Sequence, residues 1–196
     1  MMAMCLSKRK SMKYIIGLFI FIGLISCNDD YSIKPIGQLR LDYPDAVYRE
    51  FDKDCPFSFE YSTFSIEKDR EKPCWFVLNY PEMKANIFLT YYSVSDKEDL
   101  AAKIKDSEKL VQEQTVKASY ISPREFEFDD HKVYGTLFEL GGDSAINLQF
   151  HATDSLKNLL SGSVYFSAPP DYDSLQPAIQ YLKKDVVHLI ETLKWK

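Results

Sequence analysis

The chain has 196 residues, with 24 Lys+Arg against 29 Asp+Glu and a formal net charge of −5. Its length suits one ordinary domain with a full hydrophobic core. The basic residues are interspersed with acids, which argues against nucleic acid, because phosphate recognition needs clustered cations that release counterions; an acidic balance likewise gives no pull toward anionic lipid headgroups.

At the N-terminus, Lys8, Arg9, Lys10 and Lys13 precede the apolar stretch Tyr14 to Ile25, a basic region and an apolar region in the order of an export signal. These twelve residues fall short of the roughly 20 that an apolar helix needs to cross a bilayer. The stretch ends in Leu24-Ile25-Ser26-Cys27, which resembles the bacterial lipobox, where a small residue permits peptidase cleavage and the cysteine thiol carries diacylglycerol. The alternative is an ordinary cleaved signal with a chance cysteine. The expected organisation is a lipoprotein signal peptide over residues 1–26, a tether over 27–35 lipidated at Cys27, and a single α+β domain over 36–196. Met12 serves equally well as the start, in which case Met1 to Ser11 has no structural meaning. Loss of residues 1–26 removes four of the 24 Lys+Arg and none of the 29 Asp+Glu, leaving 20 against 29, a balance of −9. Membrane attachment must then rest on the lipid.

Of the four cysteines, Cys5 leaves with the signal and Cys27 takes the lipid, so Cys55 and Cys74 remain as a pair. An oxidising compartment favours a disulfide between them, worth roughly 3 kcal/mol for a loop of about 20 residues. The alternatives are two buried free thiols or, less suited because neither cysteine has a second ligand at short spacing, a metal site.

Further along, Lys34 to Pro44 reads as an irregular arm with a short edge strand carrying Leu39 and Leu41 on one face. Phe57, Phe59 and Tyr61 alternate with polar residues as a half-buried strand does, and Trp75–Tyr80, a turn at Pro81 and Ala85–Tyr92 read as an antiparallel pair. The period then changes. Ser95 as N-cap and Glu98 at the third helical position offer a capping box, and Leu100, Ile104 and Val111 mark the apolar stripe of a helix over 96–114. Strands near 119–128, 131–140, 145–153 and 159–167 follow, separated by Asp129-Asp130, Gly141-Gly142-Asp143 and Asp154-Ser155, which implies a meander. A second helix begins near Asp173-Ser174, tolerates Pro177 in its first turn, and buries Leu175, Ile179, Leu182, Val186, Leu189 and Leu193. This order predicts an α+β fold, an antiparallel sheet with two packed amphipathic helices, similar in element order to a PsbP/Mog1-type αβ sandwich.

Catalytic signals are sparse. His131, His151 and His188 fall on different elements, with no metal-ligand spacing, and each reads as a satisfied sheet, turn or helix residue. Asp129-Asp130-His131 could gather ligands but reads first as a solvated turn. Ser161-Gly162-Ser163 lies inside a strand pattern, where a glycine more often marks a bulge than a nucleophile elbow. Gly141-Gly142 leads into a strand, so no helix N-terminus faces an anion. The 13 Tyr and 13 Phe could line a groove but are explained first as strand-forming core. The expectation is therefore no catalytic residues, no metal and no cofactor.

Taken together, Lys34-Pro35 to Pro44, Cys55-Pro-Phe-Ser-Phe-Glu60, Pro73-Cys-Trp-Phe76, Lys132-Val-Tyr-Gly135, Thr153-Asp-Ser155 with Gly162-Ser-Val-Tyr-Phe166, and His188-Leu-Ile-Glu-Thr-Leu-Lys-Trp195 resemble the gliding-motility lipoprotein GldD family of Bacteroidetes, over nearly all of residues 27–196. The resemblance implies an envelope lipoprotein needed for gliding and for the type IX secretion system that exports adhesins. It carries over no catalytic residues. Phe88 and Ser161 stand where the family commonly has histidine and arginine, which makes both poor candidates for a shared active site. The expected role is a non-enzymatic accessory or scaffold, lipid-anchored in the outer membrane facing the periplasm, with protein partners in the gliding and secretion apparatus and no nucleic acid. The alternative is a periplasmic small-ligand carrier or hydrolase using an aromatic pocket. A scaffold should expose an apolar patch of several hundred Å²; a carrier should show a concave pocket of roughly 300–1,000 Å³ with convergent polar groups.

Overall fold

Alternation in Trp75–Tyr80 and Ala85–Ser93 turns every second side chain toward the core, and the two segments pair antiparallel across the turn at Pro81. The computed structural model describes residues 43–51, 53–167 and 172–196. The signal, the tether with Cys27, the start at Met1 or Met12 and the strand expected at Leu39 and Leu41 lie outside the described residues. The strands are β1 (Tyr48–Glu50), β2 (Phe57–Ser58), β3 (Glu60–Ser62), β4 (Ile66–Asp69), β5 (Trp75–Tyr80), β6 (Ala85–Ser93), β7 (Ala118–Phe128), β8 (Val133–Gly142), β9 (Ile146–Thr153), β10 (Asn158–Phe166) and β11 (Lys194–Trp195). Helix α1 is Lys97–Glu113 and α2 is Tyr172–Thr192.

Seven strands form one antiparallel sheet in the order β4-β5-β6-β10-β9-β8-β7. The meander β7 to β10 stands as expected, and its last strand returns to pair with β6, with Ser163 opposite Phe88. Two separate two-stranded sheets, β1 with β3 and β2 with β11, accompany it. The fold class is α+β.

The main core lies between α2 and one face of the sheet. Leu182, Val186, Leu189 and Ile190 of α2 meet Phe76 and Leu78 of β5, Ile87 and Leu89 of β6, and Leu148 and Phe150 of β9. Each such aliphatic side chain stabilises the fold by about 1.5–3 kcal/mol relative to exposure. Phe51 stacks on Phe76 at 4.7 Å and on Phe59 at 4.8 Å between ring centroids, extending this core into an aromatic cluster. Cys55 and Cys74 are joined by a disulfide with a Cα–Cα distance of 5.8 Å, within ordinary bridging range. All eight residues of β9 are buried, because its two faces are covered separately: Phe150 belongs to the α2 core, while Gln149 bonds to Ser107 of α1.

Several local expectations need correction. Helix α1 is capped by Asp96 rather than Ser95: Asp96 Oδ1 accepts the Asp99 backbone N–H at 2.8 Å, and Asp99 Oδ2 accepts from the Ser95 backbone N–H at 3.0 Å. Asp96 thus caps the helix and Asp99 reaches back to the residue before the cap, in place of a Ser95–Glu98 box in which Glu98 would take part. Helix α2 starts at Tyr172, so Pro177 falls in the second turn and leaves the Asp173 carbonyl without its helical N–H partner. Leu175 is only half-buried, and Leu193 is buried just beyond the helix end. Gly141 and Gly142 belong to β8 rather than to the following turn, with Gly142 at φ 82°. Gly162 marks no bulge; the irregularity in β10 lies between Val164 and Tyr165. Gly162 is needed because a Cβ there would lie 2.1 Å from Phe150 Cε1. The short strands β1, β4 and β11 carry no two-residue alternation long enough to read in advance.

Candidate functional site

The face of the sheet opposite the α2 core is polar and aromatic where strands β6 and β10 meet. Alternation places Asn86, Phe88, Thr90 and Tyr92 on that face of β6, and register sets Tyr165, Ser163 and Ser161 of β10 beside the first three. Above them runs α1, whose Lys103, Asp106, Ser107 and Leu110 recur at helical spacing on one face. Between helix and sheet lies a cleft of about 550 Å³, closed at one side by Arg70, just beyond β4.

Small side chains set the gap. Ser107 Oγ and Ser161 Oγ lie 3.1 Å apart, and Gln149 Nε2 donates to Ser107 Oγ at 3.2 Å and more closely to the Ser107 carbonyl. These bonds seat α1 on β9 and β10 at Ser107, beside the cleft that Lys103, Asp106 and Leu110 also line. Arg70 lies 5.1 Å from the Trp75 ring centroid and 5.6 Å from that of Phe88, and it donates to Thr90 Oγ1 at 3.3 Å. Lys103 is held by Asp99, one helical turn earlier. That contact, with the Ser95 backbone N–H, holds the Asp99 carboxyl below its usual range. Phe88 meets Tyr165 edge-on at 5.4 Å, and burial pushes the Tyr165 phenol up.

The residues singled out in the sequence scatter around this cleft. Phe88 and Ser161, the two departures from the family pattern, both line it. His151 lies opposite Ser161 in register but is buried, and its Nδ1 has no partner among the described residues. Burial holds the His151 imidazole below its ordinary pKa. The Ser161 hydroxyl meets Ser107 and donates to the Phe150 carbonyl at 3.4 Å, so no nucleophile–base hydrogen bond links it to His151. His131 occupies the exposed turn before β8, where Tyr134 donates to Asp129 at 3.1 Å. His188 sits on α2 with its Nε2 2.8 Å from Glu60 and its ring stacked on Tyr48. Among the described residues, no three His, Cys, Asp or Glu side chains are grouped to hold a metal ion.

A second polar cluster went unread in the sequence. Asp185 is buried within the apolar stripe of α2, where Tyr48 donates to Oδ1 and Tyr80 to Oδ2, each at 2.9 Å. Burial raises the Asp185 pKa despite these donors, and burial beside that carboxylate raises both phenols. The arrangement ties β1 and β5 to α2. Its carboxylate is enclosed by donors from its own fold, so it is a structural network rather than an open site.

A protein-family model described as gliding motility lipoprotein GldD matches residues 28–195, and no curated protein matches the chain. That match covers the helix, strands and loop that build the cleft, as well as the bridged cysteines and the Asp185 network. The chain belongs to the gliding-motility lipoprotein GldD family.

Proposed function

We propose that this gliding-motility lipoprotein is a non-enzymatic accessory of the gliding apparatus and its type IX secretion machinery, acting by recognition through the α1 cleft. Cys27 supplies its lipid anchor, in the outer membrane facing the periplasm, and its partners are envelope proteins of that apparatus. The observation that carries this reading is the cleft itself: about 550 Å³, with aromatic walls and polar groups converging from α1, β6 and β10. Such a volume with convergent polar groups meets the criterion set for a ligand carrier, so the accessory role rests on binding a small ligand rather than on a broad docking face. Its lining offers hydrogen bonds and charge, while the hydroxyl nearest a histidine is bonded elsewhere. Among the exposed large apolar residues Val116, Tyr120 and Leu156 belong to separate segments, while Val47, whose carbonyl accepts the Thr63 N–H, neighbours Phe64 and Ile66 in a small patch that the cleft exceeds in polar complementarity.

The test is Thr90→Trp, which fills the cleft from a strand position that accepts aromatic residues. Cells carrying it should make the protein at normal level and melting temperature, yet lose gliding and adhesin export. Normal gliding with a filled cleft would refute the reading.

A further inference from the structure

Two opposite charges, both solvent-exposed, line the cleft, and neither has an oppositely charged partner among the described residues. Arg70 makes one side-chain hydrogen bond, to Thr90, and among the described residues it meets no carboxylate. Asp106, on the helical side, has no hydrogen bond or ion pair among the described residues, and the nearby Lys103 is already taken by Asp99. Ser163 of β10, a residue only 8% exposed, also lines the cleft; its hydroxyl makes no hydrogen bond among the described residues, and its oxygen is open to the cleft. A hydroxyl that opens on the cleft and bonds to nothing in the protein can bond to a ligand there.

We propose that the cleft receives a short peptide of two or three residues with free ends, its carboxylate on Arg70 and its ammonium on Asp106. The proposal rests on the recognition reading of the same cleft and names what is recognised. A simple anion would satisfy Arg70 and leave Asp106 facing like charge; a simple cation would do the reverse. A zwitterion satisfies both. The guanidinium is held against two aromatic rings, so its planar fork is oriented before the ligand arrives, and a carboxylate can take two of its remaining N–H groups. Between the ends, the Ser163 hydroxyl and the Asn86 amide meet peptide N–H and C=O groups, and the Phe88–Tyr165 pair supplies an apolar wall for a side chain. A cleft of about 550 Å³ has room for such a ligand without needing a longer chain.

The experiment is calorimetric titration of the full lipidated chain in detergent with alanyl-phenylalanyl-alanine, its N-acetyl form and its C-terminal amide. The free tripeptide should bind saturably, and each capped form about tenfold or more weakly, the size of one lost charge-assisted contact. Arg70→Gln should bind the free acid and the amide alike, and Asp106→Asn should bind the free and acetylated forms alike. Equal binding of all three peptides to the unaltered protein overturns the proposal, as does an absence of saturable binding. Glycerophosphoethanolamine, a zwitterion of lipid origin, is titrated in parallel; if it alone binds with dependence on Arg70 and Asp106, the peptide assignment is overturned. If no peptide binds but Thr90→Trp still stops gliding, the ligand class falls while the recognition reading stands.

Discussion

Gly162→Ala is a one-methyl change whose cost can be worked from the packing of β10 on β9. The new Cβ would lie 2.1 Å from Phe150 Cε1 and 2.5 Å from Cζ, whereas ordinary contact begins at 3.4 Å, so the ring must retreat by more than an ångström. Phe150 is 1% exposed within the α2 core and has little room to do so. Overpacking of this kind costs about 1–3 kcal/mol; about 2 kcal/mol corresponds to a melting temperature lower by roughly 4–8 °C in a chain of this size. Urea denaturation of the full chain should show the loss as a lower midpoint at unchanged slope. Phe150→Leu removes Cε1 and Cζ, the two closest of the three ring atoms under 3.0 Å from the new Cβ, so adding Gly162→Ala in that background should cost clearly less, a coupling that a double-mutant cycle measures. Gly135→Ala provides the contrast: its Cβ would meet the His151 backbone carbonyl at 1.9 Å, which no side-chain change relieves. An equal Gly162→Ala penalty in both backgrounds would refute the steric argument.

Asp185→Asn tests the buried carboxylate. Because burial raises its pKa, the folded state holds the Asp185 proton more tightly than the unfolded chain does, so this group's contribution is full below about pH 3.8 and is lost as pH rises through the raised value. The stability of the native protein relative to Asp185→Asn should therefore be greatest in acid and shrink toward neutrality; a gap that widens with pH contradicts the assignment. Reduction of the Cys55–Cys74 bridge, which spans a sequence separation of 19, should destabilise by roughly 3 kcal/mol, and alkylation without reductant should label neither cysteine. Leu182→Asp buries a charge in the α2 core and should abolish folding and gliding together. His131→Ala, His151→Ala and Asp130→Ala should each keep gliding; its loss in any of them at normal protein level and melting temperature would make the active-site alternative the better reading.

The parts of the fold that were legible in the sequence are those with long, clean periods. The β5–β6 pair, the meander and the stripe of α2 each repeat their pattern over several residues, so packing and propensity agree. Asp185 was missed because a single acid inside an apolar stripe looks like a break in the pattern until Tyr48 and Tyr80 arrive from distant segments to bond it. The cleft was missed for a related reason: Arg70, Phe88, Asp106 and Ser163 come from four segments that only tertiary folding brings together. One signal was present. β6 alternates Ala85, Ile87 and Leu89 with Asn86, Phe88 and Thr90, and a polar-aromatic face on a strand interior to the sheet and covered by a helix needs a reason beyond solvation. Helix α1 gave the matching hint, since only Ser107 and Val111 along it are buried, too little apolar contact for a helix that serves packing alone.

The pairing of β11 with β2 also sets when the fold can close. Lys194 and Trp195 lie against Ser58 and Phe57, the Lys196 backbone N–H donates to the Pro56 carbonyl at 2.9 Å, and Trp195 meets Phe57 edge-on. Phe57 belongs to the aromatic cluster with Phe51, Phe59 and Phe76, yet its outer edge is sealed by residues that follow α2, far along the sequence. Until β11 docks, the phenylalanine stack keeps an open edge through which partly folded molecules can associate. Loss of Trp195 and Lys196 would leave that edge open, so β11 acts as the latch on the Phe57 cluster.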